Sequence, residues 1–270
     1  MKTRALSAAA LLAAIILSMS FIQNKPKPML KEETVTYMDH GVTLKGFIVY
    51  DENTTGKRPA VLVVPEWWGL NDYIKSRARQ LAELGYVAMA VDMYGDGKTA
   101  ANPQEAQEFT APFYKDPQLS KSRLDAALVK VKEIRQTDAA RIAAIGYCFG
   151  GSAVLNAAKL GADLLGVVSF HGGLTGAPAN RELLKAKILV CHGAADKFVP
   201  QQDVDAFKHA MDSIGAHYTF KAYADATHAY TNPNATKVGK QFNMPIEYNA
   251  AADKASWSDM KVFLAGVFKK

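Results

Sequence analysis

The sequence has few cysteines, few prolines and no dense block of one charge. Two cysteines, Cys148 and Cys191, occur in 270 residues, which is too few for a disulfide framework. The 11 prolines and 19 glycines exclude a collagen-like or low-complexity chain. The formal net charge is +6, but the Lys and Arg residues are scattered, so we expect no nucleic-acid partner. With 49% hydrophobic and 21% charged residues, the length fits one large α/β domain.

The first twenty residues have the composition of a targeting segment. Lys2 and Arg4 precede an apolar run over residues 8–17, and small residues follow up to Ser20. This order predicts a secretory signal peptide over residues 1–20, cleaved near Ser20, and therefore a secreted or periplasmic protein. The alternative is an uncleaved anchor, but a spanning helix needs roughly 20 apolar residues. We therefore expect no stable membrane insertion after cleavage.

Short apolar runs alternate with amphipathic stretches along the rest of the chain. The predicted strands cover residues 34–39, 42–50, 60–64, 87–91, 141–145, 165–170, 188–191 and 217–223. The predicted helices cover about 73–84, 119–136, 150–160, 202–214 and 250–268. The first two strands flank Gly41 and indicate a hairpin. The alternation predicts an α/β fold, a mostly parallel central sheet flanked by helices on both faces, in a single domain over residues 30–270.

A candidate nucleophile lies between a strand and a helix. After the apolar run RIAAI the chain reads GYCFGG, with Cys148 between glycines at positions −2 and +2. A sharp strand-to-helix turn needs such small neighbours to expose a nucleophile, and the next backbone N–H, that of Phe149, can then stabilise an oxyanion. The start of the helix also directs its positive end towards a thiolate. The alternative is a buried, unreactive cysteine.

An acid and a histidine follow two later strands. Asp196 lies in the tight turn of HGAADKFVP, just past a strand, and His228 lies in the loop after the last strand. The order Cys148, Asp196, His228 matches the nucleophile, acid and histidine order of one class of triad enzyme. Asp225 is an alternative acid, but it is too close to His228 in sequence to need the Asp196 loop.

A carboxylate also follows the third strand. Glu66 lies in PEWWG, between a proline and two tryptophans, where free solvation is poor. We expect it to face the same sheet edge, because ligands bind beyond the carboxyl ends of parallel strands. The backbone N–H of Trp67 is the expected second oxyanion donor.

Five motifs together resemble the dienelactone hydrolase family of α/β-hydrolases. In chain order they are PEWWG, DMYG, GYCFGG, HGAADKFVP and HAYTNP. The resemblance implies a Cys148–His228–Asp196 triad and a Glu66 that interacts with the resting thiol and helps to form the thiolate when substrate enters. It also implies hydrolysis of a small ester or lactone through a thioester acyl-enzyme, with no metal and no organic cofactor.

The sequence departs from this family at two positions that matter for substrate. Well-known members bind the substrate carboxylate with two arginines, and the matching positions here are Asp96 and Asn232. Neither offers the bidentate charged contact of an arginine, although Lys98 can supply a point charge. An uncharged ester or another lactone is therefore at least as good a candidate as dienelactone. Residues 98–115 are a candidate lid.

Two other functions stay open at this point. One is a binding protein that keeps the fold without turnover, and the other is a redox protein using both cysteines, which lack CxxC spacing. Cys191 ends an apolar run and is expected in the core. His171 and His192 also follow strands and could line the site, but their adjacent glycines favour tight turns as the explanation. We expect a monomer whose partner is a small-molecule substrate.

Overall fold

Eight strands form one sheet in the computed structural model, which describes residues 27–269. The strands are β1 (Leu30–Asp39), β2 (Val42–Asp51), β3 (Arg58–Val64), β4 (Val87–Ala90), β5 (Thr137–Tyr147), β6 (Gly166–Phe170), β7 (Lys187–Gly193) and β8 (Tyr218–Tyr223). Their spatial order is β1-β2-β4-β3-β5-β6-β7-β8. The β1–β2 and β2–β4 pairs are antiparallel, and all the other pairs in this sheet are parallel. The expected signal peptide, residues 1–20, lies outside the described residues.

Helices connect the parallel strands. They are α1 (Asp72–Glu83), α2 (Pro103–Lys115), α3 (Pro117–Lys132), α4 (Phe149–Lys159), α5 (Gln201–Ser213), α6 (Ala235–Phe242) and α7 (Ala250–Val267). Side chains of Asn or Asp cap the first turns of α1, α2, α3 and α7, where backbone N–H groups have no acceptor inside the helix. Among residues 27–269, none of these helices combines the length and apolarity needed to span a bilayer.

The sheet is covered on both faces. One large apolar cluster joins α3, α4 and α5 to one side of the strands, and a second joins α1 and α7 to the other side. The central strands β3 and β4 are apolar on both faces, as expected of strands between two helical layers. The fold class that the sequence predicts is confirmed, and so is the hairpin of β1 and β2.

Several elements differ from the sequence prediction; β1 and β5, for example, each begin four residues earlier, at Leu30 and Thr137. The helix expected to reach residue 136 ends at Lys132, because the chain turns over residues 133–136 to enter β5 in an extended conformation. Helix α2 was not predicted and lies within the stretch considered as a lid. Helix α6 was also not predicted.

The carboxyl ends of β3, β5 and β7 meet at one edge of the sheet. The loop after β8 reaches the same edge, where a β-bridge pairs His228 with Ile246. Each predicted site residue follows one of these four strands, so the sheet brings together positions that are far apart in sequence.

Candidate active site

Cys148 lies on a strained turn between β5 and α4. Its φ of 53° falls in the left-handed region, which is uncommon for a residue with a side chain. The flanking glycines are required by close backbone contacts. A Cβ on Gly146 would lie 2.0 Å from the carbonyl oxygen of Gly150, and one on Gly150 would lie 2.3 Å from that of Val64. The turn therefore keeps the thiol at the carboxyl edge of the sheet, where it is partly exposed.

Cys148, His228 and Asp196 are joined by hydrogen bonds. The His228 Nε2 atom lies 3.0 Å from Cys148 Sγ, and its Nδ1 atom lies 2.8 Å from Asp196 Oδ2. The other carboxylate oxygen of Asp196 accepts from the backbone N–H of Phe198 at 2.8 Å, which fixes the carboxylate in its turn. The structure thus brings together three residues that are 80 and 32 positions apart along the chain.

The electrostatics of this trio favour a charged imidazole. Burial lowers the pKa of His228, but the charge of Cys148 and the hydrogen bond to Asp196 outweigh burial, and the pKa is raised well above its ordinary value. A protonated His228 donates from Nδ1 to Asp196 and from Nε2 to the sulfur. In cysteine nucleophiles generally, an imidazolium in this position favours the reactive thiolate form.

Glu66 is buried and lines the same cavity as Cys148. Only 2% of its surface is exposed, and its Oε2 atom accepts a 2.7 Å hydrogen bond from Asn232 Nδ2. Burial raises the pKa of Glu66 to about 7, against the opposing effects of Asn232, His228 and Arg77. Among residues 27–269, the Glu66 carboxylate forms a side-chain hydrogen bond with Asn232. It forms none with Cys148. A carboxyl of this kind changes protonation near neutral pH.

Two backbone N–H groups are available beside the sulfur. Phe149 is the first residue of α4, so its N–H has no acceptor within the helix. The carbonyl oxygen of Glu66 accepts from Gly69 at 3.0 Å, and this bond orients the peptide that carries the N–H of Trp67. The carbonyl of Trp67 accepts from the hydroxyl of Tyr94 at 2.9 Å. Trp67 and Phe149 both line the cavity next to Cys148.

A cavity of about 480 Å³ opens over these groups. Its wall is rich in aromatic rings, and its carboxylates are Glu66 and Asp203. Among residues 27–269, no Lys or Arg lines it. At its mouth the side chains of Tyr114 and Phe198 are 61% and 52% exposed. Tyr114 belongs to α2, so part of the predicted lid region does border the cavity.

The two positions that replace the family arginines have different surroundings. Asp96 is exposed, pairs with Lys45 at 3.8 Å and does not line the cavity. Asn232 is buried and holds Glu66. Lys98, considered from sequence as a substitute charge, is exposed and lies outside the cavity lining. None of these three residues therefore places a cation in the cavity lining, where it could bind a substrate carboxylate.

The other thiol is remote from this chemistry. Cys191 is fully buried, and both cysteines are free thiols. The hydroxyl of Tyr223 donates to Cys191 Sγ at 3.5 Å, and burial raises the pKa of this thiol to about 12. Among the described residues there is also no group of three or more His, Cys, Asp or Glu side chains arranged to hold a metal ion.

A further buried residue, one that the sequence favours as part of a tight turn but leaves open as a residue lining the site, contacts the Cys148 backbone. His171 directly follows β6 and is 1% exposed. Its Nδ1 atom accepts from the backbone N–H of Cys148 at 3.1 Å, and its Nε2 atom lies 2.7 Å from Thr231 Oγ1. Its position after a central strand was the available signal, but the contact depends on how β5 and β6 pair.

Several relatives of this chain carry the name of one enzyme. A protein of Methylorubrum extorquens, provisionally named as a carboxymethylenebutenolidase, is 33% identical over 187 residues, which are 65% of this chain and 64% of that protein. The match thus spans slightly less than two thirds of that relative. A protein of Aquifex aeolicus with the same provisional name is 30% identical over 205 residues, covering 74% of this chain and 87% of that protein.

A solved structure matches this chain over nearly the whole of its own length. The crystal structure of a dienelactone hydrolase-like promiscuous phosphotriesterase from metagenomic libraries has a TM-score of 0.83 and 32% identity, covering 89% of this chain and 99% of that chain. Fold and relatives together define an α/β-hydrolase of the ester and lactone type. A sequence profile of the dienelactone hydrolase family matches residues 44–268, and the chain belongs to that family.

Proposed function

We propose that the protein hydrolyses small uncharged esters or lactones through a thioester on Cys148, with His228 and Asp196 completing a catalytic triad. The observation that carries this proposal is the pair of contacts from His228, 3.0 Å to the sulfur and 2.8 Å to the carboxylate. These are the distances over which a base and a nucleophile exchange a proton.

Acylation begins from the thiolate–imidazolium pair. The Cys148 sulfur attacks the carbonyl carbon, and the backbone N–H groups of Trp67 and Phe149 bind the oxyanion. His228 then gives its proton to the leaving alkoxide or enolate, while Asp196 holds the imidazole in one orientation. Losing one oxyanion donor would raise the barrier by about 3 kcal/mol.

In deacylation the proton moves in the opposite direction, towards His228. His228, now neutral, accepts a proton from water, whose oxygen attacks the thioester carbon. The tetrahedral intermediate expels the Cys148 thiolate and releases the carboxylic acid. His228 is left protonated, so the ion pair is restored without an external proton.

We propose that Glu66 helps to form the thiolate. A buried carboxyl with a pKa of about 7 can accept a proton near neutral pH, and Glu66 lines the same cavity as Cys148. Its hydrogen bond to Asn232 keeps it from solvent. It is therefore available to accept the proton of any Cys148 that is still a neutral thiol, and not yet paired as a thiolate with His228, when the substrate enters.

The charges of the cavity support an uncharged substrate. A carboxylate-bearing lactone would enter a cavity that has Glu66 and Asp203 in its wall and no Lys or Arg among the described residues that line it. Burying an anion there without a partner is unfavourable. The exposed rings of Tyr114 and Phe198 suit an apolar group at the mouth.

The direct test compares esters that differ only in charge. The protein is assayed with a neutral short-chain aryl ester and with the same ester bearing a carboxylate on the acyl group. We expect higher kcat/KM for the neutral ester and a loss of activity in Cys148→Ala, with Cys191→Ala as the matched thiol control. Full activity in Cys148→Ala would refute the mechanism, and a preference for the anionic ester would refute the substrate class.

A second candidate activity is slow hydrolysis of uncharged phosphotriesters. It is favoured by the absence of Lys and Arg among the described residues that line the cavity, and by the 32% identity to a relative that is named a promiscuous phosphotriesterase. We expect turnover of a neutral aryl phosphotriester, measured by release of the phenol, and loss of that turnover in Cys148→Ala.

Two proposals remain from the sequence. Export follows from the expected signal peptide, and cell fractionation with N-terminal sequencing of the mature protein tests it. A binding protein without turnover is the alternative function, and failure of Cys148 to form an adduct with thiol-directed acyl probes would support it.

A further inference from the structure

His171 is enclosed between the nucleophile turn and the loop that carries His228. Its own backbone N–H donates to the carbonyl of Cys191 at 2.8 Å, and its φ of 41° is left-handed. Three aromatic rings face its imidazole, with centroid distances of 5.3 Å to His228, 5.3 Å to Tyr230 and 6.1 Å to Tyr147. The ring therefore cannot turn without displacing its neighbours.

The hydrogen bonds define which nitrogen carries the proton. The Cys148 backbone N–H is a donor, so His171 Nδ1 must be the acceptor and the proton must lie on Nε2, directed at Thr231 Oγ1. Burial and the charge of His228 lower the pKa of His171 well below its ordinary value, which keeps this tautomer neutral. The hydroxyl of Tyr73 lies 2.7 Å from the same Thr231 oxygen.

Charged groups continue the network beyond Thr231. Arg77 is buried, donates to the backbone carbonyl of Thr231 at 2.6 Å and pairs with Asp253 at 2.5 Å. It lies over the ring of Tyr73, with 5.3 Å from its guanidinium carbon to the ring centroid. Thr231, whose hydroxyl oxygen accepts from His171, is therefore held in place by side chains of two helices, α1 and α7.

The turn at Cys148 needs such support. With φ 53° and ψ −115°, its backbone is outside the regions that residues with side chains prefer, and such conformations persist only where surrounding contacts enforce them. The Cys148 N–H has two acceptors, the carbonyl of Phe170 at 3.0 Å and Nδ1 of His171 at 3.1 Å. A second acceptor fixes the direction of the N–H and hence the position of Sγ.

We propose that His171 is a positioning residue for the nucleophile: its Nδ1 atom, with Thr231 fixing the tautomer, holds the Cys148 backbone so that Sγ stays in contact with His228 Nε2. The inference rests on the proposed thiol chemistry, although it concerns a side chain outside the cavity lining. It predicts that losing the Nδ1 hydrogen-bond acceptor lowers the reactivity of Cys148 more than losing the packing volume of the imidazole ring does.

Two substitutions distinguish the roles of the two ring nitrogens of His171, Nδ1 and Nε2. In His171→Asn the side-chain oxygen can take the position of Nδ1 and accept from Cys148, whereas in His171→Gln the longer amide reaches the position of Nε2 and contacts Thr231. Both variants lose the ring, so their difference isolates the acceptor. The readouts are the rate of Cys148 alkylation by iodoacetamide as a function of pH, kcat for a neutral ester, and thermal melting to confirm folding.

The expected result is a split between the two variants. His171→Gln lowers kcat and the alkylation rate at neutral pH by about tenfold and shifts the alkylation profile to higher pH, whereas His171→Asn stays within about threefold of the wild type. Equal losses in the two variants, or no loss in either, would overturn the proposal. Absence of ester hydrolysis in the wild type would refute the proposed function instead, because alkylation needs no substrate.

A third variant decides the matter if His171→Gln does not fold. Thr231→Val keeps the shape of the side chain but removes the oxygen that fixes the tautomer. We expect alkylation of Cys148 at neutral pH to slow by about threefold or more. An unchanged alkylation profile in Thr231→Val would then overturn the proposal.

Discussion

Replacing Glu66 by glutamine tests the burial of an ionisable group at the centre of the site. The substitution keeps the shape of the side chain and an oxygen to accept from Asn232, and it removes only the titration. The wild-type carboxyl is 2% exposed, and its pKa is raised from 4.5 to about 7, with burial as the largest cause. Its ionisation therefore has a cost in the folded state that it does not have in the unfolded chain.

The sign and size of the change in the free energy of unfolding follow from the different proton binding of Glu66 in the folded and unfolded states. Between pH 4.5 and about 7 the unfolded chain has released this proton and the folded protein still binds it, so the free energy of unfolding falls as pH rises. A shift of this size corresponds to about 3 kcal/mol, because one unit of pKa is about 1.36 kcal/mol. Above pH 7 the folded protein carries the full destabilisation from ionised, buried Glu66. Below pH 4.5 this destabilisation is absent.

The assay is urea unfolding of wild type and Glu66→Gln at several pH values from 4 to 8. Other titrating groups, including His228 and His171, contribute to both proteins, so the difference between them isolates Glu66. We expect Glu66→Gln to gain about 3 kcal/mol relative to wild type between pH 4.5 and pH 7, with unchanged urea dependence. The exposed Glu83→Gln is the control for loss of a carboxylate.

Two unfolding curves that stay parallel across this pH range would refute the reasoning. They would mean that Glu66 ionises in the folded protein as easily as in the unfolded chain. The proposed role of Glu66 as a proton acceptor near neutral pH would then lose its physical basis.

Three further substitutions test the site and its support. Asp196→Asn should lower kcat by on the order of a thousandfold or more in steady-state assays, because the imidazole loses its charged orienting partner; a fall under tenfold would contradict the triad. Gly150→Ala should destabilise by about 1–3 kcal/mol in chemical unfolding, since its Cβ would lie 2.3 Å from the Val64 carbonyl oxygen, whereas Gly266→Ala has open space and should not destabilise. Asp203→Lys should raise kcat/KM for a carboxylate-bearing ester by about tenfold and leave neutral esters little changed; equal changes for both would contradict a charge effect.

The strands and the residues after them were predictable because their signal is local. Buried parallel strands are short continuous apolar runs, and the residue that follows such a run lies at the carboxyl edge of the sheet. Glu66, Cys148 and Asp196 were each found in this way. The glycines around Cys148 have a backbone requirement that is visible in the sequence, and the close contacts of Gly146 and Gly150 account for it.

The missed helices have sequences that oppose helix formation locally. Helix α2 contains Pro112, which removes one backbone donor from the helix interior, and its start is secured by the cap of Asn102. Helix α6 has only eight residues with Gly239 in its middle, and it ends at Asn243 in a left-handed conformation. Tertiary packing stabilises it, since Phe242 stacks on Trp68.

Contacts between distant strands could not be read from the sequence. The hydrogen bond from Asn232 to Glu66 joins residues 166 positions apart, and the one from Cys148 to His171 depends on the register of β5 and β6. The sequence marks Asn232 only as a missing arginine, and it leaves open whether His171 lines the site or simply forms a turn. Both contacts arise from the pairing of the sheet, which local patterns do not specify.

The acyl-enzyme itself is the most direct test of the account. The protein is mixed with a neutral aryl ester, quenched with acid during the first turnovers, and digested for peptide mass spectrometry. The account predicts an acyl group on the peptide that contains Cys148, removable by hydroxylamine, and no acyl group on that peptide in Cys148→Ala. An acyl group on a different side chain, or ester turnover with no covalent adduct on Cys148, would contradict it.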